Sequence, residues 1–224
     1  MLNKQLKELI VKKVEIFNDI LGQAGPKHGI KSALLSGRNI LIVGPPGIGK
    51  TTIAKKLHSY FERYELISQN DLRRKLGMKK MPKTQDAVLR TIDRLTQDHL
   101  TKGKGVIIDS LNRYSFRRQQ LYGVASGCGC HALVLECVCT SREAKKRMRS
   151  RPISDGLLSD PYDPRIYDRL AKSWEDIQTY DFKYPGSDHV SYIQYDSENG
   201  KIEKKIIQKN SSKFIQEISD LLRE

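Results

Sequence analysis

The sequence predicts an α/β fold of the P-loop NTPase type: a mostly parallel sheet of about five strands with helices on both faces. Two observations carry this. β-branched apolar runs alternate with stretches of helical periodicity along most of the 224 residues, the pattern that packs parallel strands between two helix layers. The run Asn39-Ile40-Leu41-Ile42-Val43 also leads directly into Gly44-Pro45-Pro46-Gly47-Ile48-Gly49-Lys50-Thr51-Thr52 and then a helical pattern. Strand, glycine-rich turn and helix in that order form a phosphate-binding loop. The expected organisation is an extension over 1–37 and a domain over 38–224 with a lid around 141–165.

The extension carries Leu6, Leu9, Ile10, Val14, Phe17, Ile20 and Leu21 at helical spacing, with lysines on the other face. Packing on its own domain is the default for such a helix; a dimer contact or a track for nucleic acid are the alternatives. In the loop, Gly44 and Gly49 let successive backbone N–H groups wrap an anion. Lys50 can reach the β- and γ-phosphates, Thr51 can ligate Mg²⁺, and the helix starting near Lys50 aims its N-terminal partial charge at the same anion. Residues 44–52 are therefore the candidate nucleotide-binding set, with ATP and Mg²⁺ as cofactors.

The helix over 50–62 carries the helical pattern Ile53, Ala54, Leu57, Tyr60 and Phe61, and a short strand follows over 64–68. Residues 69–77 turn into a helix carrying Asn70, Asp71, Arg73 and Arg74, polar groups at a strand-to-helix handover that face the ligand cleft of such a sheet. A basic loop and an amphipathic helix over 85–102 lead to the strand Gly105–Asp109. A carboxylate closing this strand suits Mg²⁺ placement beside Thr51; capping the next turn is the plainer role. Asn112 and the cluster Arg113, Arg117 and Arg118 follow, guanidinium groups suited to phosphate contacts. A strand over 131–138 runs into a helix capped by Thr140 or Ser141 and rich in cations, including Arg147, Arg149 and Arg151, which is the expected arginine-bearing lid. A helix over 165–178, a strand over 190–195, an Asn199-Gly200 turn and a closing helix over 214–222 complete the chain.

Composition limits the partners. Lys and Arg number 40 against 26 Asp and Glu, a formal charge of +14 spread along the chain, which favours a polyanion such as RNA or DNA. No apolar run reaches the roughly 18 residues that span a bilayer, so a soluble, cytoplasmic protein without a membrane partner is expected. The pairs Cys128/Cys130 and Cys137/Cys139 lack zinc-finger spacing and read as apolar groups in and beside a buried strand. No internal repeat, heptad or low-complexity segment appears, and the oligomeric state stays open.

Taken together, residues 38–196 resemble the small P-loop kinases related to polynucleotide kinase, zeta toxins and seryl-tRNA kinase. The resemblance rests on the loop at 44–52, Asn70-Asp71-Leu72-Arg73-Arg74, the strand ending at Asp109 followed by Asn112 and Arg117, and Arg147-Met148-Arg149-Ser150-Arg151. It implies ATP-dependent phosphorylation of a hydroxyl, frequently at a nucleic-acid end. The implied catalytic residues are Lys50, Asp71, Arg147 and Arg151; Asn70, Arg73, Arg74, Asn112 and Arg117 would bind the acceptor, and Thr51 and Asp109 the metal. In such kinases an Asp after the second strand serves as base. Two registers fit here, one placing Asp71 at that position and the other Asn70, with Asp71 preferred. Three readings follow: a nucleic-acid kinase, a small-molecule kinase with the same site, and a nucleotide-hydrolysing switch or assembly factor, since the loop also resembles that of ring-forming ATPases.

Overall fold

Strand β1 (Arg38–Val43) alternates its side chains across a sheet covered on both sides. Ile40 and Ile42 enter one core, Leu41 and Val43 the other, and all four are fully buried. A strand buried on both faces reads as a continuous apolar run, as this one does. The computed structural model describes residues 38–75, 82–150, 163–177, 181–182, 189–206 and 212–222; the extension expected over 1–37 lies outside them.

Helix α1 (Lys50–Tyr60) follows β1, then β2 (Tyr64–Ser68), α2 (Gln69–Lys75), α3 (Pro82–Thr101), β3 (Gly105–Asp109), α4 (Ser115–Gly127), β4 (His131–Val138), α5 (Ser141–Arg149), α6 (Pro164–Lys172), β5 (Val190–Asp196), β6 (Lys201–Ile206) and α7 (Ser212–Leu221). The sheet order is β2-β3-β1-β4-β5-β6, parallel except for the β5–β6 pair. Residues of α1, α5 and α7 enter one core with Ile40 and Ile42, and residues of α3 and α4 enter the other. Because β1 lies between β3 and β4, the loop leaving its C-terminal end opens into the crevice at the middle of the sheet, where α/β proteins bind ligands.

The fold class matches the expectation, with two differences of detail. The sheet has a sixth strand. Its sequence, Lys-Ile-Glu-Lys-Lys-Ile, is too charged to read as a buried strand, and its antiparallel edge position tolerates that charge. The helix expected over 165–178 stops at Lys172. Beyond it the chain is drawn onto the sheet: Trp174 Nε1 donates to Glu136 Oε1 at 3.1 Å, and the Glu175 carboxylate accepts the Ser115 N–H at 2.5 Å. Glu136, buried near the end of β4, also accepts from the Tyr192 hydroxyl at 2.6 Å and Gln194 Nε2 at 2.9 Å.

A wholly buried guanidinium joins this segment to α4. Arg118 meets Asp181 with Nε–Oδ2 at 2.7 Å and Nη2–Oδ1 at 2.6 Å, and donates to the carbonyls of Asn112, Arg113 and Glu175. Burial pulls the Arg118 pKa down, but the Asp181 carboxylate more than offsets this and the net shift is upward. The Tyr122 hydroxyl donates to the same carboxylate at 2.6 Å, and burial together with Asp181 holds Tyr122 well above the ordinary tyrosine value. Arg118, expected to meet phosphate, is instead an internal clamp. Its arginine neighbours in sequence give no hint of this; the distant Asp181 does, once the fold brings it near.

Removing one partner of a buried pair leaves an uncompensated charge. Asp181→Ala is therefore expected to cost about 3–5 kcal/mol, read as a lowered urea midpoint. None of the four cysteines is disulfide-bonded, and Cys130 and Cys137 are buried. Burial pushes the Cys137 thiol up to about 12, so the protonated thiol stabilises the fold fully below the unfolded thiol value. That contribution is lost as pH rises towards 12. Wild type should lose about 2–3 kcal/mol relative to Cys137→Ala between pH 8 and pH 11, measured by urea denaturation at each pH.

Candidate functional site

The loop after β1 is shaped by what presses on it from behind. Gly44 has φ 135° and Gly47 φ 84°. A Cβ on Gly44 would lie 2.0 Å from Ile48 Cδ1 and 2.6 Å from the Cys137 carbonyl oxygen, and one on Gly47 would lie 2.4 Å from the Ala144 carbonyl oxygen. Ile48 is buried in the core with Cys137 and Ala144, which ties the loop to β4 and α5. Gly49 caps α1 without any side-chain bond, so the first N–H groups of that helix are left for an anion.

Lys50 Nζ donates to the carbonyls of Gly44 and Pro45, each at 2.7 Å, lying back across the loop. Thr51 Oγ1 donates to Asp109 Oδ2 at 2.7 Å, and Asp109 is buried. Glycines with no room for a side chain, an uncapped helix start and a pair of hard oxygen donors together fit a nucleotide triphosphate with Mg²⁺. Among the described residues no group of three or more His, Cys, Asp or Glu could hold a metal. The Thr51–Asp109 pair suits Mg²⁺, which typically takes one or two protein oxygens and fills its shell with phosphate and water.

A cavity of about 710 Å³ opens beside these groups. Pro46, Lys50, Thr51 and Asp109 line it, and so do Asn70, Arg73, Asn112 and Arg117 of the expected acceptor set. Its lining includes five basic residues, Lys50, Arg73, Arg113, Arg117 and Arg169, against one acidic residue, Asp109, so its field favours an anion. Arg169 on α6 was not among the residues singled out from sequence. Only its helical spacing from Ile166 and Leu170, which share the cavity wall, could have pointed to it.

The acceptor candidates differ in how free they are. Arg73 Nη1 reaches Asn70 Oδ1 at 3.4 Å, its Nη2 donates to Gln85, and burial lowers its pKa. Arg117 is ion-paired to Asp93 at 2.7 Å and donates to the Leu89 carbonyl at 3.4 Å. Asn112 has φ 43° and is buried, with both polar atoms of its carboxamide unpartnered. Of the two positions for the base, Asn70 lines the cavity. Asp71, the preferred base from sequence, has a side chain that is 53% exposed, is paired with Arg74 at 2.5 Å, and is absent from the cavity lining. Arg74 is likewise turned to solvent, because α2 is a single short helix that presents 70 and 73 on one side and 71 and 74 on the next.

Of the lid expected over 141–165, the described residues include 141–150 and 163–165. Helix α5, capped by the Thr140 side chain on the Glu143 N–H, is docked behind the loop through Ala144 and Met148, both fully buried. Arg147 is held there as well: Nε donates to Glu143 Oε1 at 2.9 Å, Nη1 to Ser197 Oγ at 2.9 Å and Nη2 to the Ser197 carbonyl at 3.1 Å. It stands near Gly49, outside the cavity lining. Arg151 lies outside the described residues.

The model of the family described as "AAA domain" matches residues 40–161, more than half of the chain. Several solved structures share this fold. Kti12 of Chaetomium thermophilum, crystallised with ADP-AlF3, superposes with a TM-score of 0.55 at 22% identity over 82% of this chain and 98% of that one. A sugar kinase from Janibacter sp. HTCC2649 gives 0.54 at 16% identity over 83% and 96%. A chain of the Pnkp1/Rnl/Hen1 RNA repair complex gives 0.55 at 16% identity over 66% of this chain and 46% of that one. The uncharacterized protein YifB of Escherichia coli (strain K12) is 39% identical over 41 residues, 18% of this chain and only 8% of the length of that curated relative. No described helix is long and apolar enough to cross a membrane.

Gly47→Ala puts a Cβ against the Ala144 carbonyl and strains a left-handed backbone. It is expected to weaken binding of a fluorescent ATP analogue at least tenfold and to lower stability by about 1–3 kcal/mol, both read on the same preparation.

Proposed function

The chain belongs to the AAA domain family, and from that membership and the cavity we propose an ATP- and Mg²⁺-dependent kinase that phosphorylates a hydroxyl of RNA or DNA, most simply a 5′-hydroxyl. The observation that carries this reading is the Thr51–Asp109 contact at 2.7 Å opening onto a cavity with five basic lining residues and one acidic one. A polyanionic acceptor suits that imbalance better than water alone, as the formal charge of +14 also does.

In this reading Lys50 turns from the Gly44 and Pro45 carbonyls to the β- and γ-phosphates, and the N–H groups at the start of α1 receive the phosphate oxygens. Thr51 and Asp109 hold Mg²⁺, which when bound neutralises charge on the transferred group. Asn70 Oδ1 accepts a hydrogen bond from the attacking hydroxyl and so aims it. The hydroxyl oxygen bonds to the γ-phosphorus as the bond to the β,γ-bridging oxygen breaks, ADP leaves, and the hydroxyl proton passes to Asp109. Asn cannot take a proton, and Asp109 is the carboxylate among the described lining residues. A loose transition state asks mainly for positioning and charge neutralisation, which eases the demand on the base. Arg73 and Arg169 supply further positive charge for neighbouring phosphates.

The cavity volume, within the range of small-ligand pockets, favours a second reading, a small-molecule kinase using the same residues. Salt separates the two: affinity for an oligonucleotide held at several phosphates falls steeply with ionic strength, whereas that for a neutral small substrate does not.

Radiolabel transfer from γ-labelled ATP to a 5′-hydroxyl oligonucleotide is expected from wild type and should fall at least about a thousandfold in Lys50→Ala. Asn70→Ala should cut the rate about tenfold or more, while Asp71→Asn should change it less than about threefold. Transfer to nucleosides or sugars alone would replace the first reading with the second, and hydrolysis without transfer to any acceptor would sink both.

A further inference from the structure

The cavity has an aromatic wall as well as a charged floor. Tyr114 and Phe116 stack with ring centroids 5.8 Å apart and 21° between their planes, and Arg113 Cζ lies 4.4 Å from the Tyr114 centroid. All three residues line the cavity, yet Phe116 is 61% exposed, which places it at the rim. Leaving a phenylalanine ring in water is unfavourable unless something covers it in use.

The backbone that carries these rings is held from several directions. Arg118 Nη1 donates to the carbonyls of Asn112 and Arg113, both at 3.0 Å, and the Glu175 N–H reaches the Arg113 carbonyl at 3.0 Å. Next to the rings, the buried Asn112 carboxamide keeps one donor group and one acceptor unpartnered. The shelf is thus pre-organised and offers a π-face, a guanidinium and an unused amide together. A neutral sugar can lay its C–H face on a ring but brings no anion to the guanidinium, and an aliphatic acceptor meets neither demand. A nucleotide unit satisfies all three: its base stacks, its phosphate meets the cation, and a base edge or ribose hydroxyl takes the amide.

We propose that Tyr114 and Phe116 form the stacking site for the terminal base of a single-stranded nucleic-acid acceptor, with Arg113 on the adjoining phosphate and Asn112 on a polar group of the same nucleotide. The inference rests on the kinase reading in taking this cavity as the acceptor's place, but its test needs no transfer.

Binding of a short 5′-hydroxyl single-stranded RNA is measured by fluorescence anisotropy without ATP, beside the same strand lacking its 5′-terminal base. Wild type should bind the intact strand about fivefold to a hundredfold more tightly, the scale of base–aromatic stacking. Phe116→Ala should bind both strands alike, at the affinity wild type shows for the abasic one, and Phe116→Trp should keep the preference. The salt dependence should match between wild type and Phe116→Ala, since stacking releases no counterions, and should become shallower in Arg113→Ala. Equal binding of the two strands by wild type, no binding of either, or an equal loss for both in Phe116→Ala would overturn the proposal. A base preference without transfer in the radiolabel assay would keep the stacking site and reject the kinase; transfer without a base preference would do the reverse.

Discussion

The cavity wall at Asn112 and Arg113 depends on one buried cation. Arg118 cannot release its charge, and with the side chain wholly out of solvent every donor must find an oxygen. It finds them on three stretches that are distant in sequence: the 112–113 turn, the Glu175 carbonyl and the Asp181 carboxylate. Meeting that demand holds the turn at Asn112 and Arg113 and ties the chain after α6 to α4. This stretch of the cavity wall is therefore held by an internal electrostatic constraint.

The phosphate half depends on steric fit. Gly44 and Gly47 face the backbones of β4 and α5 with no space for a methyl group, and Ile48 pins the intervening turn into the core. A loop supported this way keeps its N–H groups aimed before any ligand arrives, so little ordering entropy is spent on binding. Helix α5 supports the same loop. Its apolar side, Ala144 and Met148, is spent on the loop, and Arg147 is spent on Glu143 and Ser197, which stiffens the same support.

Much of this was legible in the sequence, and the reasons it stopped are physical. The alternation of strands and helices and the spacing Gly44 to Thr51 announce a doubly covered sheet with a phosphate loop, because those patterns follow from local backbone demands. The Thr51–Asp109 meeting was also readable, since a strand-final carboxylate in a parallel sheet emerges at the same edge as the loop. Arginine roles were not, because a guanidinium takes its function from its partners. Arg117 and Arg118 are adjacent in sequence, yet one lines the cavity paired with Asp93 and the other is sealed in the core with Asp181. The exposed Phe116 shelf was equally hidden, since an aromatic residue at the start of a helix reads as core until the fold leaves it in water.

The position of the carboxylates bears on how such a site could work. Helix α2 turns Asn70 inward with Arg73 and leaves Asp71 outside with Arg74, and the α-helical rotation of about 100° per residue prevents both 70 and 71 from facing the same point. A carboxylate at 70 would sit beside the partly buried Arg73 and be drawn into an ion pair with it, competing with any acceptor hydroxyl. A neutral carboxamide accepts a hydrogen bond from Arg73 at 3.4 Å and keeps a second lone pair for the acceptor. On the proposed reading, the site gives up a strong base next to the acceptor in exchange for a neutral, oriented one-point contact. The negative charge is concentrated in Asp109, beside the metal position. That arrangement is coherent for a transfer whose transition state is loose, where aligning the hydroxyl and neutralising the migrating group matter more than early removal of a proton.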